Sequence, residues 1–154
     1  FDEIQWPDDM GYRNGMLFSK EMWADIVRPY QKRTIDWAHA RGIKAQIHSC
    51  GNIMEIVPEL VDLGLDVLNP LEIKAGMDPI GIKQQFGDRL SFRGGFDARN
   101  WSAWETAEPE IREKLPTLMK GGGYVFASDH SIPDSVSFDT MRRIVELVKD
   151  IGTY

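Results

Sequence analysis

Two spacings of apolar residues take turns along the chain, one close to 2 and one close to 3.6. Phe1 to Trp6 is a short apolar-rich stretch ended by Pro7-Asp8-Asp9, which predicts a strand. After Ser19, an apt N-cap, Met22, Trp23, Ile26, Val27, Tyr30, Trp37 and Ala38 recur near helical spacing, which predicts a helix to about Arg41. Pro29 should kink or split that helix, and Gly42 stands where a C′ glycine belongs. Lys44 to His48 reads as a second strand, and apolar positions 53, 56, 57, 60 and 61 mark a helical face closed by Gly64. Leu65 to Asn69 is a third strand. Asp78-Pro79 pairs an N-cap with a proline at N1 and opens a helix ending near Gly87. Leu90 to Arg93 is a fourth strand, followed by Gly94-Gly95. Residues 103–120 read as a helix carrying Pro109 and Pro116, and Gly121-Gly122-Gly123 ends it. Tyr124 to Ser128 is a fifth strand, and Ser137 caps a last helix with Met141, Ile144, Val145 and Val148 as its buried stripe.

The order βαβαβαβαβα implies α/β architecture, with parallel strands joined by right-handed crossovers. An open doubly wound sheet and a (β/α)8 barrel both fit. Five units are too few to close an eight-stranded barrel. No GxGxxG or P-loop follows the first strand, so the usual mark of a nucleotide-binding open sheet is missing. The chain opens at Phe1, inside a strand, without an initiator Met. The expectation is a fragment of something longer.

Composition narrows the classes. The 154 residues suit one domain, and the net charge is −6 with only short basic pairs such as Lys32-Arg33 and Arg142-Arg143, which argues against a nucleic-acid partner. No apolar run approaches the roughly 18 residues of a membrane span. A single cysteine, Cys50, excludes an internal disulfide and fits a reducing cytoplasm. Five tryptophans and seven methionines point to a well-filled core or a roomy apolar pocket, the core being the first reading.

Sites in parallel α/β folds lie at the C-terminal ends of strands. Polar residues fall at all five such ends here: Asp8 and Asp9, His48 and Cys50, Asn69 and Glu72, Asp97, then Asp129 and His130. Loops are generally polar, so the two histidines and the only cysteine carry more weight than any one carboxylate. His48 and Cys50 are two apart and share a strand face with Lys44 and Gln46, opposite Ile43, Ala45 and Ile47. Imidazole and thiolate together suit Zn²⁺, but two ligands do not make a site. His130, Glu72 and Asp9 are the candidates for a third. His39 lies within the first long helix and reads as structural or solvent-facing.

The segments Pro7-Asp8-Asp9-Met10-Gly11 and Gly15-Met16-Leu17-Phe18-Ser19 resemble the segment before the fifth barrel strand of the uroporphyrinogen decarboxylase superfamily. His48-Ser49-Cys50-Gly51-Asn52-Ile53 resembles the H-x-C-G motif of its methyltransferase branch. Asp66-Val67-Leu68-Asn69-Pro70-Leu71-Glu72, Phe86-Gly87, Gly94-Gly95-Phe96-Asp97 and Gly122-Gly123-Tyr124-Val125-Phe126, with His130 after them, keep the family's order. The resemblance covers nearly the whole chain and implies the C-terminal part of a (β/α)8 TIM barrel, from about the fourth strand to the eighth.

Two chemistries follow from the resemblance. One is methyl transfer from a methylcorrinoid to a thiol or similar acceptor, with zinc held by His, two Cys and an acidic residue. His48 and Cys50 match the first two ligands, and the partners implied are a small-molecule substrate or a corrinoid protein. The second cysteine is absent, and His130 stands near its place, where the decarboxylases carry a histidine. The other chemistry is the metal-free decarboxylation of uroporphyrinogen in porphyrin biosynthesis, with His130 against a substrate carboxylate and Asp9 near the macrocycle. H-x-C-G favours the methyltransferase branch. Glu72 or Asp97 would then orient a metal-bound histidine, and Asn69 would line the cofactor site. A diverged, non-catalytic barrel in which Cys50 is a buried thiol is the third reading. Two unpaired sheet edges further imply a homo-oligomer.

Overall fold

The computed structural model describes residues 1–154. Five strands form one parallel sheet: β1 (Glu3–Pro7), β4 (Lys44–His48), β5 (Val67–Asn69), β6 (Ser91–Arg93) and β7 (Tyr124–Val125), in that spatial order. Two short strands, β2 (Gly11–Tyr12) and β3 (Gly15–Met16), make an antiparallel hairpin of their own. Each step along the sheet is a crossover to a parallel neighbour, as the alternating pattern implies. The architecture is α/β, a partial barrel with two free edges at β1 and β7.

Period two sorts the two faces of the sheet. Ala45, Ile47, Leu68 and Phe92 are fully buried on one side. The register sets Gln5 against Gln46, Gln46 against Val67, His48 against Asn69 and Val67 against Ser91, so these residues share the other face. Arg93, two beyond Ser91, points the same way. The face of His48 is therefore polar across four strands, as the sequence predicts for β4.

The first long helix is continuous. α1 (Lys20–Met22) passes through a π-helical segment (Trp23–Val27) into α2 (Arg28–His39). Pro29 does not end it, and the change from π to α geometry falls just before the proline. Proline lacks an N–H and crowds the carbonyl four residues back, and the widened turn just before it relieves both demands. The extra residue of that turn also re-aims the side chains. Trp23, Gln31, Ile35 and Ala38 are buried, whereas Met22, Ile26, Tyr30 and Trp37 are exposed. The apolar face expected of this helix is thus divided, half in the core and half on the surface.

Further along, α3 (Val57–Asp62) follows a 3-10 turn (Met54–Ile56), and α4 (Pro79–Phe86) is capped by Asp78, which accepts from the Gly81 N–H at 2.9 Å. α5 (Trp104–Met119) runs unbroken through Pro109 and Pro116. The last strand is shorter than expected. The ladder stops at Val125, and only an isolated bridge from Phe96 to Ser128 continues it. Ser137 caps α6 (Phe138–Ile151), accepting from the Thr140 N–H at 3.0 Å. Its buried stripe is Thr140, Ile144 and Leu147, and Val145, expected inside, is exposed. Of the other expected stripe residues, Met141 and Val148 are partly buried against the core. Trp23 and Trp101 are fully buried with Phe92 and Phe96, so the aromatic content does fill the core. No helix is long and apolar enough to cross a membrane.

Candidate metal centre

The loop after β1 is stitched to the loop after β4. Asp8 N–H donates to the His48 carbonyl at 2.8 Å, Met10 N–H to Ser49 Oγ at 3.0 Å, and Asn52 N–H to the Tyr12 carbonyl at 2.9 Å. Gly11 and Gly51 meet at the middle of this seam. A Cβ on Gly11 would lie 2.6 Å from the Gly51 carbonyl carbon, so only hydrogen fits there. Below the seam, Trp23 Nε1 donates to Gln31 Oε1 at 3.1 Å, and Gln31 Nε2 donates to Asp8 Oδ2 at 2.6 Å. The long helix therefore holds the Asp8-Asp9 loop from behind.

That seam brings Asp9 to His48 and Cys50. The Cys50 N–H donates to Asp9 Oδ1 at 2.9 Å, His48 Nε2 lies 3.8 Å from the same oxygen, and Cys50 Sγ lies 3.5 Å from His48 Nε2. One donor atom from each of the three falls within 4.8 Å of the other two. A tetrahedral zinc with ordinary Zn–S and Zn–N bonds separates its sulfur and nitrogen by about 3.5 Å. The spacing of His48 and Cys50 matches that edge, and Asp9 needs to move in only slightly. Three protein donors with a fourth position free is the pattern of catalytic rather than structural zinc.

Asn69 sits opposite His48 on β5, and its Nδ2 lies 3.1 Å from His48 Nδ1. In this orientation the amide donates to Nδ1, and the proton of the neutral ring belongs on Nε2. Turned end for end, the amide offers Oδ1 instead. The proton then resides on Nδ1, and Nε2 presents a lone pair towards Cys50 and Asp9. Metal ligation requires that second arrangement.

Burial pushes the Cys50 thiol up, and the carboxylates of Asp9 and Glu72 push it further. Without a cation nearby, Cys50 is a neutral thiol at neutral pH.

Two clefts border the centre. One, of about 600 Å³, is lined by Gly51, Glu72, Lys74 and Arg99 among others. The second, of about 360 Å³, is lined by Gln5, His48, Asn69, Arg93 and Ser128 among others. Cys50 and His130 border both.

A family model for uroporphyrinogen decarboxylase (URO-D) matches residues 2–151. The chain belongs to this family. No curated protein matches it. Within the uroporphyrinogen decarboxylase family, its five-stranded parallel sheet is part of a (β/α)8 barrel, and the match takes in every residue of the centre.

The remaining expected site residues fall around the centre in distinct ways. Asp9, one of three candidates for a third donor, joins His48 and Cys50, whereas His130 and Glu72 stay outside that cluster. His130 is exposed on the rim shared by the two clefts. Glu72 accepts from the Gly51 N–H at 2.6 Å and lies 3.3 Å from Lys74 Nζ, so it fixes the loop that carries Cys50. Asp97 is gripped by Arg99 through Nε at 2.9 Å and Nη2 at 2.5 Å. The Arg99 guanidinium holds the Asp97 carboxyl below the usual carboxylate range. Neither acid orients His48, because the register places Asn69 beside it. Asp129, fully buried, accepts from the N–H groups of Ile73 and Ala98, both at 3.0 Å, and ties three strand-end loops together. The β2–β3 hairpin that carries the seam was not foreseen, although Asn14-Gly15 is a turn signal.

Proposed function

We propose that this chain belongs to a corrinoid-dependent, methyltransferase-like branch of the uroporphyrinogen decarboxylase family and uses a zinc-activated acceptor. The observation that carries this reading is the gathering of Asp9, His48 and Cys50 donor atoms within 4.8 Å at the strand ends. Bound there, zinc would act as a Lewis acid that lowers the pKa of an acceptor thiol, so that a methyl group can pass to sulfur from a methylcorrinoid. The chain's own residues do the rest. His48 at the end of β4 and Cys50 two residues on in the following loop would fix two positions, and the seam would hold Asp9 at a third. Asn69 sets which nitrogen of His48 is free. Glu72, through Gly51, keeps the Cys50 loop from drifting. An acceptor thiol would enter from the clefts that Cys50 borders.

Metal analysis of purified chain reconstituted with zinc tests this directly. The expected result is about one zinc per chain, as a single such site holds, lost on Cys50→Ser. Cobalt(II) in place of zinc should give a thiolate charge-transfer band that vanishes in the same variant. A wild-type chain that takes up no metal overturns the reading.

A second reading, decarboxylation of uroporphyrinogen, is favoured by the place of His130. It lines both clefts yet stands outside the donor cluster, as a residue that contacts a substrate carboxylate would. Formation of coproporphyrinogen from uroporphyrinogen in metal-free buffer, lost on His130→Ala, would select it over methyl transfer.

A further inference from the structure

We propose that Arg93 makes the smaller cleft a binding site for the carboxylate group of a small-molecule substrate. This deepens the methyltransferase reading, on which it rests only for the identity of that substrate as the acceptor.

The polar face of the sheet carries Arg93 at the end of β6, on the side shared by His48 and Asn69. No carboxylate comes within 4.0 Å of its guanidinium, and its side chain makes no hydrogen bond within the chain. Most other arginines are committed. Arg89, Arg99, Arg112 and Arg142 each pair with an acid, and Arg41 and Arg143 lie over tryptophan rings. Arg93 lines the same 360 Å³ cleft as His48 and Cys50.

The rest of the lining points the same way. The chain holds 24 acidic residues against 18 basic ones, yet the wall of this cleft includes no Asp or Glu. The larger cleft differs, since Glu72 lines it and offsets Lys74. The cleft beside Arg93 thus offers neutral polar side chains and no competing carboxylate. A guanidinium presents a planar fork that matches a carboxylate through two parallel hydrogen bonds. An anion held there would place the remainder of its molecule towards His48 and Cys50, which border the same space.

Propionate is the first probe because it carries a carboxylate and no thiol. Its binding to the chain is followed by NMR titration for wild type, Arg93→Gln, Arg93→Lys and Arg13→Gln. Arg13 is the control, an arginine at the larger cleft. Loss of a charge-assisted pair should weaken binding roughly tenfold in Arg93→Gln. Arg93→Lys should keep part of the affinity, and Arg13→Gln should behave as wild type. Unchanged propionate binding in Arg93→Gln, or an equal loss in Arg13→Gln, overturns the proposal.

The second probe pair is 3-mercaptopropionate and the neutral 3-mercaptopropan-1-ol, offered to zinc-loaded chain. Wild type should prefer the acid roughly tenfold, and Arg93→Gln should abolish the preference without abolishing thiol binding. The two readings fail separately. A chain that takes up no zinc but binds propionate through Arg93 loses the methyltransferase reading and keeps this one. A chain that binds zinc and prefers neither thiol loses this one alone.

Discussion

At the scale of single residues, the centre depends on side chains that touch no substrate. Asn69 is the clearest case, because its amide orientation decides which nitrogen of His48 carries the proton. Asn69→Leu removes that choice and should weaken zinc binding by about 10- to 100-fold, the range for lost outer-shell partners. Competition with a metallochromic chelator measures the change. Asn69→Asp, whose carboxylate can only accept from Nδ1–H, should restore most of the affinity. A merely structural role for Asn69 would not produce that rescue.

Asp66 is a second such residue, at the opposite end of the sheet. It accepts from Lys44 Nζ at 2.7 Å and from the Ala45 N–H at 2.9 Å, and it pairs with His39 Nε2 at 2.7 Å. Burial alone would raise its carboxyl, but these donors outweigh burial and hold it below the usual range. A carboxyl depressed by folding contributes stability above its unfolded pKa and loses it as pH falls through the folded value. Asp66→Asn should therefore cost about 1–3 kcal/mol at neutral pH. The gap to wild type should close as the medium is acidified through the carboxylate range. Urea titrations at several pH values check both. His39, read from the sequence as structural or solvent-facing, proves to be part of this cluster while remaining 41% exposed.

The elements of secondary structure show what local pattern can and cannot reveal. Strand faces follow from alternation, and β4 reads correctly from Lys44 to His48 because each residue's side is fixed by its neighbours. The helix caps at Ser19, Asp78 and Ser137 are equally local and equally legible. The π segment is not, since no local spacing marks the widened turn that precedes Pro29. Nor is the seam that brings Asp9 to Cys50, which spans 41 positions in the chain. Hence His48 and Cys50 could be paired from the sequence, while the third donor stayed among three candidates. Gly11→Ala tests the seam. A methyl group 2.6 Å from backbone must push the hairpin off the Cys50 loop, at a cost of about 1–3 kcal/mol. Zinc uptake should fall with it, while the far-ultraviolet circular dichroism of the strands and long helices stays as in wild type. Undiminished uptake would mean that Asp9 does not need the hairpin.

For the whole molecule, the sheet is open at both ends. The edge strands are β1 and β7, the long helix exposes Met22, Ile26, Tyr30 and Trp37, and Val125 of β7 and Phe138 and Val145 of α6 are exposed as well. Unpaired strand edges and exposed apolar side chains favour association. We expect the chain to self-associate, and light scattering across a concentration series should return a mass above 17.6 kDa. A monomer at every concentration would reject this. The α/β class was legible because five units alternate in order, and the partial barrel followed from the family resemblance of the strand-end motifs. The exposed half of the long helix was not, because spacing alone cannot tell a core-facing stripe from one left open to solvent.

Under the proposed methyl transfer, the wall shared by the two clefts would bear on the order of events. Cys50 and His130 stand between them, so two reactants can be lodged at once, one on each side. A group could then pass directly across the partition, with no turnover in which the protein itself carries it. Initial rates measured against both reactants should give intersecting lines, the signature of a ternary complex, rather than the parallel lines of a ping-pong exchange.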